Sequence, residues 1–184
     1  MKRTRWLTAC LVSLIGVAIV TWTGRTQGAA RDVKLPEAVQ ETFKAQFPQG
    51  EIFKTDVEVE NGVTVYDLEF KDGPVEKETD ITADGIMLEF TVVVDLKAVP
   101  KAAMKIIRRA VKGATIKRIE HIEISHQTKD GKTIKLPKPV THYAADMAKG
   151  DQRAEIVVTP EGTVVEAPKW SSGDEAKAKD KTRK

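Results

Sequence analysis

A repeated order of motifs constrains this chain more than any other feature of it. Leu35-Pro36-Glu37-Ala38-Val39 opens a helical pattern, and Thr42, Phe43, Gln46 and Phe47 continue its stripe. Val99-Pro100-Lys101-Ala102-Ala103 opens another 64 residues later, continued by Ile106, Ile107, Ala110 and Val111. Proline suits the first helical turn, where a missing amide proton has no partner to lose. Farther on, Val63-Thr64-Val65-Tyr66 matches Val140-Thr141-His142-Tyr143 at an offset of 77. Thr82-Ala83-Asp84-Gly85 with Glu89 matches Thr159-Pro160-Glu161-Gly162 with Glu166 at the same offset. The second copy therefore holds 13 more residues between its helix and its second strand.

Turn signals fall in the same order in both copies. Asn61-Gly62 pairs with Asp130-Gly131, Asp72-Gly73 with Lys149-Gly150, and Asp84-Gly85 with Glu161-Gly162. Glycine after Asn or Asp supplies the positive φ that tight hairpins require. Alternation puts Tyr66, Leu68 and Phe70 on one strand face, and Tyr143, Ala145 and Met147 repeat them. Ile86, Leu88, Phe90, Val92 and Val94 form the most apolar alternating set, as expected of a central strand. The expected fold is α+β: two tandem αββββ units, an antiparallel sheet with the helices packed on one face. The expected boundaries are a signal peptide over 1–30, a first unit over 31–98, a second over 99–170, and a disordered charged tail over 171–184.

The proline-led helix starts, the Val-Thr-x-Tyr strands and the Thr-x-Asp/Glu-Gly-x-x-x-Glu hairpins resemble the PepSY-like, beta-lactamase-inhibitor-like family of exported bacterial proteins. So does Val94-Asp95-Leu96-Lys97-Ala98-Val99-Pro100, a strand running into the next helix start. The resemblance covers Leu35 to about Pro168. It implies a fold and brings no catalytic residues; some relatives are thought to bind or inhibit other proteins.

Lys2, Arg3 and Arg5 precede an uncharged run from Trp6 to Gly24, and Gly28-Ala29-Ala30 offers small residues before Arg31. These are the n-region, h-region and cleavage site of a secretory signal peptide, so the chain is expected to be periplasmic or secreted. Any membrane attachment would come through this segment left uncleaved. Cys10, the single cysteine, lies inside it, which leaves the exported part without disulfide, thiol nucleophile or thiolate metal site. Of 184 residues, 41% are hydrophobic, enough for a packed core, and 31% are charged. The formal +3 misleads, because the N-terminal segment holds four of the 30 basic residues and none of the 27 acids. The exported remainder of the chain is near neutral, which argues against nucleic acid as a partner. Ser171 to Lys184 is almost entirely polar, with charges of both signs, as in a disordered tail.

Reaction chemistry finds little support. Ser125 is the only serine between residue 31 and the tail, and strand alternation puts Ser125 and His126 on opposite faces. No phosphate loop, zincin motif or nucleophile elbow is present, so an enzyme is not expected and no cofactor is implied. His121 and His142 sit on neighbouring strands and are the candidate metal ligands.

Charge is distributed unevenly. Residues 31–99 hold 7 basic and 16 acidic groups, whereas 100–170 hold 14 and 8. Asp56, Glu58, Glu60, Asp67, Glu69, Glu76, Glu78, Asp80 and Glu89 fall opposite the apolar parity and crowd one open sheet face. The extra residues of the second unit lengthen the hairpin around Asp130-Gly131. Ile122 and Ile124 are expected to face the core, and the tip to project, ringed by Lys129, Lys132, Lys135 and Lys138. Leu136-Pro137-Lys138-Pro139 should interrupt the ladder on the return strand. The sequence thus describes an exported, non-enzymatic binding module, an inhibitor or regulator of another envelope protein. Its candidate partner-binding residues are Lys129, Asp130, Gly131, Lys132, Lys135 and Lys138 on the hairpin and Glu58, Glu69 and Glu78 on the sheet. The alternative is a periplasmic metal or small-ligand binding protein.

Overall fold

The computed structural model describes residues 33–172. Residues 1–30, expected to be a signal peptide, and the expected tail beyond Ser172 lie outside the described residues. Helix α1 (Glu37–Gln46) leads into strands β1 (Glu51–Glu60), β2 (Val63–Asp72), β3 (Val75–Thr82) and β4 (Met87–Val93). A 3₁₀ turn (Leu96–Ala98) then leads to helix α2 (Lys101–Ala110), followed by β5 (Thr115–Lys129), β6 (Lys132–Lys149), β7 (Gln152–Val158), β8 (Val164–Glu166) and β9 (Ser171–Ser172). Both helices start as the proline signals require. Pro36 and Pro100 stand at the N-caps, and their carbonyls accept from Gln40 and Met104.

The expectation of two tandem αββββ units with helices packed on one face is overturned. All strands belong to a single nine-stranded antiparallel sheet in the order β1 to β8, with β9 added to the edge of β7. β4 and β5 are hydrogen-bonded neighbours over Glu89–Val93 and Glu120–Ile124, so the ladder runs unbroken through the expected unit boundary. The helices, of ten residues each, are minor elements. Ser171 and Ser172, expected to begin a disordered tail, instead pair with Arg153 and Gln152.

Two apolar clusters form the core. One gathers Val39 and Phe43 of α1 with Leu68, Phe70 and Ile81. Phe70 is fully buried, with its ring 4.9 Å from Phe43 and 4.5 Å from Phe47. The other gathers Ala103, Met104 and Ile107 of α2 with Ile119, Tyr143, Ala145, Met147, Ile156 and Val158. Strand alternation explains membership: Leu68 and Phe70 share one face of β2, as do Tyr143, Ala145 and Met147 on β6. Burying such side chains stabilises the fold by roughly 1.5–3 kcal/mol each.

β-Bulges decide what the opposite face carries. Shifts opposite Asp80/Ile81, where Leu88 of β4 is the extra residue, and at Ile116/Arg118 and Ile124/His126 of β5 change the alternation along β4 and β5. Ile122 and Ile124 consequently pair with Thr91 and Glu89, on the face away from the core clusters, and not in the core. At the third shift Ser125 stands opposite four residues of β6, Leu136 to Pro139, none of which enters the ladder. The two prolines produce this gap, as their missing amide protons require.

Beyond the gap the β5–β6 hairpin does not project. Its tip lies against the β1–β2 turn, where the Gly131 amide donates to the Asn61 carbonyl at 2.7 Å. Asn61 Nδ2 donates to the carbonyl and hydroxyl of Thr128 at 3.1 and 3.0 Å. Both turns have positive φ at their two central residues, Asn61-Gly62 and Asp130-Gly131. A Cβ on Gly62 would stand 3.3 Å from Gly131 Cα, a tight contact added to a φ of +85, so glycine suits this close approach. Polar groups at the tip find partners here that solvent would otherwise supply.

Candidate functional site

The face opposite the core clusters is built by cross-strand register. One row runs Asp56, Asp67, Asp80, Glu89, Ile124, Val140 across β1 to β6. The next runs Lys54, Glu69, Glu78, Thr91, Ile122, His142. A third group, Arg118, Glu120, Asp146 and Glu155, continues the acids onto β5, β6 and β7. The face is therefore acidic over β1–β4 and partly apolar over β5–β7.

Charged side chains on an uncovered flat sheet stay in water. Here Asp67 is 4% exposed, Glu69 6% and Thr91 5%. Neighbouring long side chains in the same rows cover them. The distal hairpin runs past the same end of the face. Thr128 Oγ1 donates to Glu60 Oε2, and a shallow groove between arm and sheet is lined by Val63, Thr64, Asp84, Ile86, Lys132 and Thr133.

Burial, and then the proximity of other carboxylates, makes ionisation costly throughout this surface. Glu78 is pushed up to about 9, first by burial and then by Asp67, Glu120, Glu69 and Glu89. Burial raises Asp67 to about 7 against the attraction of Lys54, with Glu69, Asp56 and Glu58 adding to the rise. Asp80 lies well above the usual carboxylate range for the same reasons. Glu89 reaches about 7 and Glu155 about 8, burial again leading. Glu60, Glu120 and Asp146 are also raised, and burial lowers His142.

Cations on the face are engaged by acids. Lys54 Nζ lies 2.6 Å from Glu69 and 2.8 Å from Asp56. Burial opposes its charge, but those two carboxylates outweigh burial and hold the ammonium above the ordinary lysine value. Arg118 pairs with Glu120 at 2.5 Å. No such partner reaches Asp67, Glu78 or Asp80 among the described residues. One oxygen each of Asp67, Glu78 and Asp80 lie within 4.8 Å of one another, and Oδ1 of both aspartates is buried with no hydrogen-bond partner.

The structure joins some of the sequence-derived candidates and separates others. Glu58, Glu69 and Glu78 share the open face, with Glu69 directly opposite Glu78. Lys129, Asp130, Gly131, Lys132, Lys135 and Lys138 are exposed along the arm, whose tip meets the β1–β2 turn beside Glu60. His121 and His142 are not brought together. His121 pairs with Tyr143 and sits 5.4 Å from its ring on the core side, whereas His142 pairs with Ile122 on the open side. Ser125 and His126 are closer than alternation predicts, because the bulge puts Ser125 Oγ 3.0 Å from His126 Nδ1. That nitrogen also lies 2.9 Å from the Met87 carbonyl, which can only accept. Nδ1 must donate there, so it cannot take a proton from the serine. The convergence of Asp67, Glu78 and Asp80 was only partly legible: their parity placed them on one face, but strand register alone brings them together.

No family model matches the sequence. No curated protein matches it. Solved structures do match the fold. A DUF2874 family protein from Bacteroides uniformis is 13% identical, with a TM-score of 0.54 over 74% of this chain and 90% of that one. A Bacteroides eggerthii protein named as a candidate periplasmic protein is 15% identical, with a TM-score of 0.54 over 76% and 91%. A BLIP-like protein from Bacteroides fragilis is 13% identical, with a TM-score of 0.51 over 76% and 89%. At these identities the likeness shows the fold alone. It agrees with the beta-lactamase-inhibitor-like side of the resemblance; the PepSY side rests on the sequence motifs.

Proposed function

We propose that this chain is an exported, non-enzymatic binding module that engages another exported or envelope protein through the open face of its sheet, as an inhibitor or regulator of that protein. One observation carries the reading: the face gathers buried, mutually repelling carboxylates beside the apolar Ile122, Ile124 and Val140. A partner segment presenting cations next to apolar side chains would relieve the repulsion and cover the apolar part together. The exposed lysines of the arm stand at the rim and favour a partner with acidic groups flanking that segment. Export is supported by the signal-peptide features of residues 1–30 and by the periplasmic designation of one structural neighbour. The BLIP-like neighbour supports binding as the activity class.

Purified residues 31–184, immobilised and exposed to envelope extract, should retain a protein that a charge-matched control does not. The folded triple variant Glu58→Gln, Glu69→Gln, Glu78→Gln should lose it. Recovery of nothing above the control, or undiminished recovery by the variant, overturns the proposal.

A further inference from the structure

We propose that Asp67, Glu78 and Asp80 form a binding site for one calcium ion at the centre of the open face. The site goes beyond the partner-binding reading and stands on separate observations. Three carboxylates from adjacent strands β2 and β3 each bring one oxygen within 4.8 Å of the others. Two of those side chains also carry an oxygen that the protein leaves without a partner, Oδ1 of Asp67 and of Asp80. Asp67 is only 4% exposed, so bulk water is a poor substitute for that partner. A buried acceptor without a donor costs about 1–3 kcal/mol, and a cation is the species that satisfies several at once.

The donor set selects the ion. All three ligands are hard oxygens, and no histidine or cysteine joins them, which disfavours zinc and copper. Calcium binds oxygen at about 2.3–2.6 Å, so opposed ligands stand roughly 4.6–5.2 Å apart. Oxygens that all lie within 4.8 Å of one another can share one such sphere. Magnesium demands near-ideal octahedral geometry at about 2.0–2.1 Å and resists giving up its water, so a set of three carboxylates from two strands suits it less. Lys54, whose charge acts on Asp67, is already held by Asp56 and Glu69. Glu89, opposite Asp80, adds negative potential from β4. Second carboxylate oxygens and water complete the shell. Three protein carboxylates without a wrapping loop point to affinity in the extracellular range, about 0.1–1 mM.

Calorimetric titration of residues 31–184 with calcium chloride, at constant ionic strength and neutral pH, tests the site, with magnesium chloride as the comparison arm. Saturable binding of one calcium is expected, accompanied by proton release that makes the heat depend on the buffer. Asp80→Asn and Glu78→Gln should each weaken it about 10-fold or more, as loss of one ligand from a small set does. Absence of saturable heat up to about 5 mM calcium, well above the affinity expected of such sites, overturns the proposal. So does equal affinity for magnesium, or full affinity retained in both variants. If either variant fails to fold, the wild-type calcium and magnesium arms still decide. Partner capture that persists in chelator, with no calcium heat, overturns the ion site and leaves the binding-module reading standing; calcium heat without any captured partner does the reverse.

Discussion

Replacing Glu78 with glutamine removes an ionisable group from the most crowded part of the open face and keeps the side chain's shape. Glu78 pairs with Glu69 across β2 and with Thr91 across β4, and its carboxyl is raised from 4.5 to about 9. At pH 7.5 the folded chain holds a proton there that the unfolded chain has released. Linkage makes that proton uptake cost at most about 4 kcal/mol. Asp67, Asp80 and Glu89 share the burden, and solvent reaches Glu78 in part, so a side chain that needs no proton should recover about 1–2 kcal/mol. The glutamine amide also offers a donor to oxygens that lack one. For a chain of this size the gain corresponds to a rise in Tm of roughly 2–8 °C. The sign depends on pH. A carboxyl raised on folding contributes stability that is fully present below its unfolded value and lost as pH rises through its folded value. The wild-type chain should therefore melt highest near pH 4.5 and lose stability as pH climbs through about 7, where Asp67 and Glu89 titrate, to about 9, where Glu78 does. The advantage of Glu78→Gln should grow across the same window and vanish at its acid end. Thermal melts followed by circular dichroism, in chelator from pH 4.5 to 9, measure both. A variant less stable than wild type at pH 7.5, or a wild type that gains stability from pH 5 to 8.5, would mean that Glu78 is not held protonated by burial on this face.

Phe70→Ala should cost about 3–5 kcal/mol in urea unfolding, since a fully buried ring packed on Phe43 and Phe47 leaves a cavity. Gly162→Ala should cost about 2 kcal/mol or more by the same assay, because φ is +86 and the new Cβ would lie 2.8 Å from the Ala102 carbonyl under the start of α2. Asn61→Ala should lower stability by about 1 kcal/mol, through loss of the hydrogen bonds to Thr128. The same substitution should speed hydrogen exchange at the Gly131 amide, while amides of β2 and β3 remain protected. Unchanged exchange at the tip would mean that the arm is held by something other than this turn.

The local parts of the fold could be read from sequence because local physics sets them. Prolines without a usable amide proton mark where α1 and α2 begin, and alternation assigns Leu68, Phe70, Tyr143, Ala145 and Met147 to the core. The union of all strands in one sheet depends on β4 meeting β5, which are separated by a turn and a helix and carry no local signal of pairing. Bulges are similarly silent. One extra residue between Ile116 and Arg118 moves Ile122 and Ile124 from the expected core side to the open face, and the irregularity at Ser125 brings it within reach of His126. The acidic face was legible as a parity class, but the near-burial of Asp67 depends on which side chains register sets beside it, Asp56 and Asp80. The docked arm was missed because polar contacts between two glycine turns, and not apolar burial, hold its tip.

Site-specific photo-crosslinking in the native envelope tests the central claim most directly, that the open face is the working surface. A crosslinking side chain at Glu58 or at the exposed Val140 lies on that face, whereas one at Lys44 of α1 or Lys105 of α2 lies on an exposed helix surface. The account predicts one common adduct from Glu58 and Val140, reduced by Glu78→Gln, and none from Lys44 or Lys105. An adduct confined to the helix positions, or formed equally from all four, contradicts it.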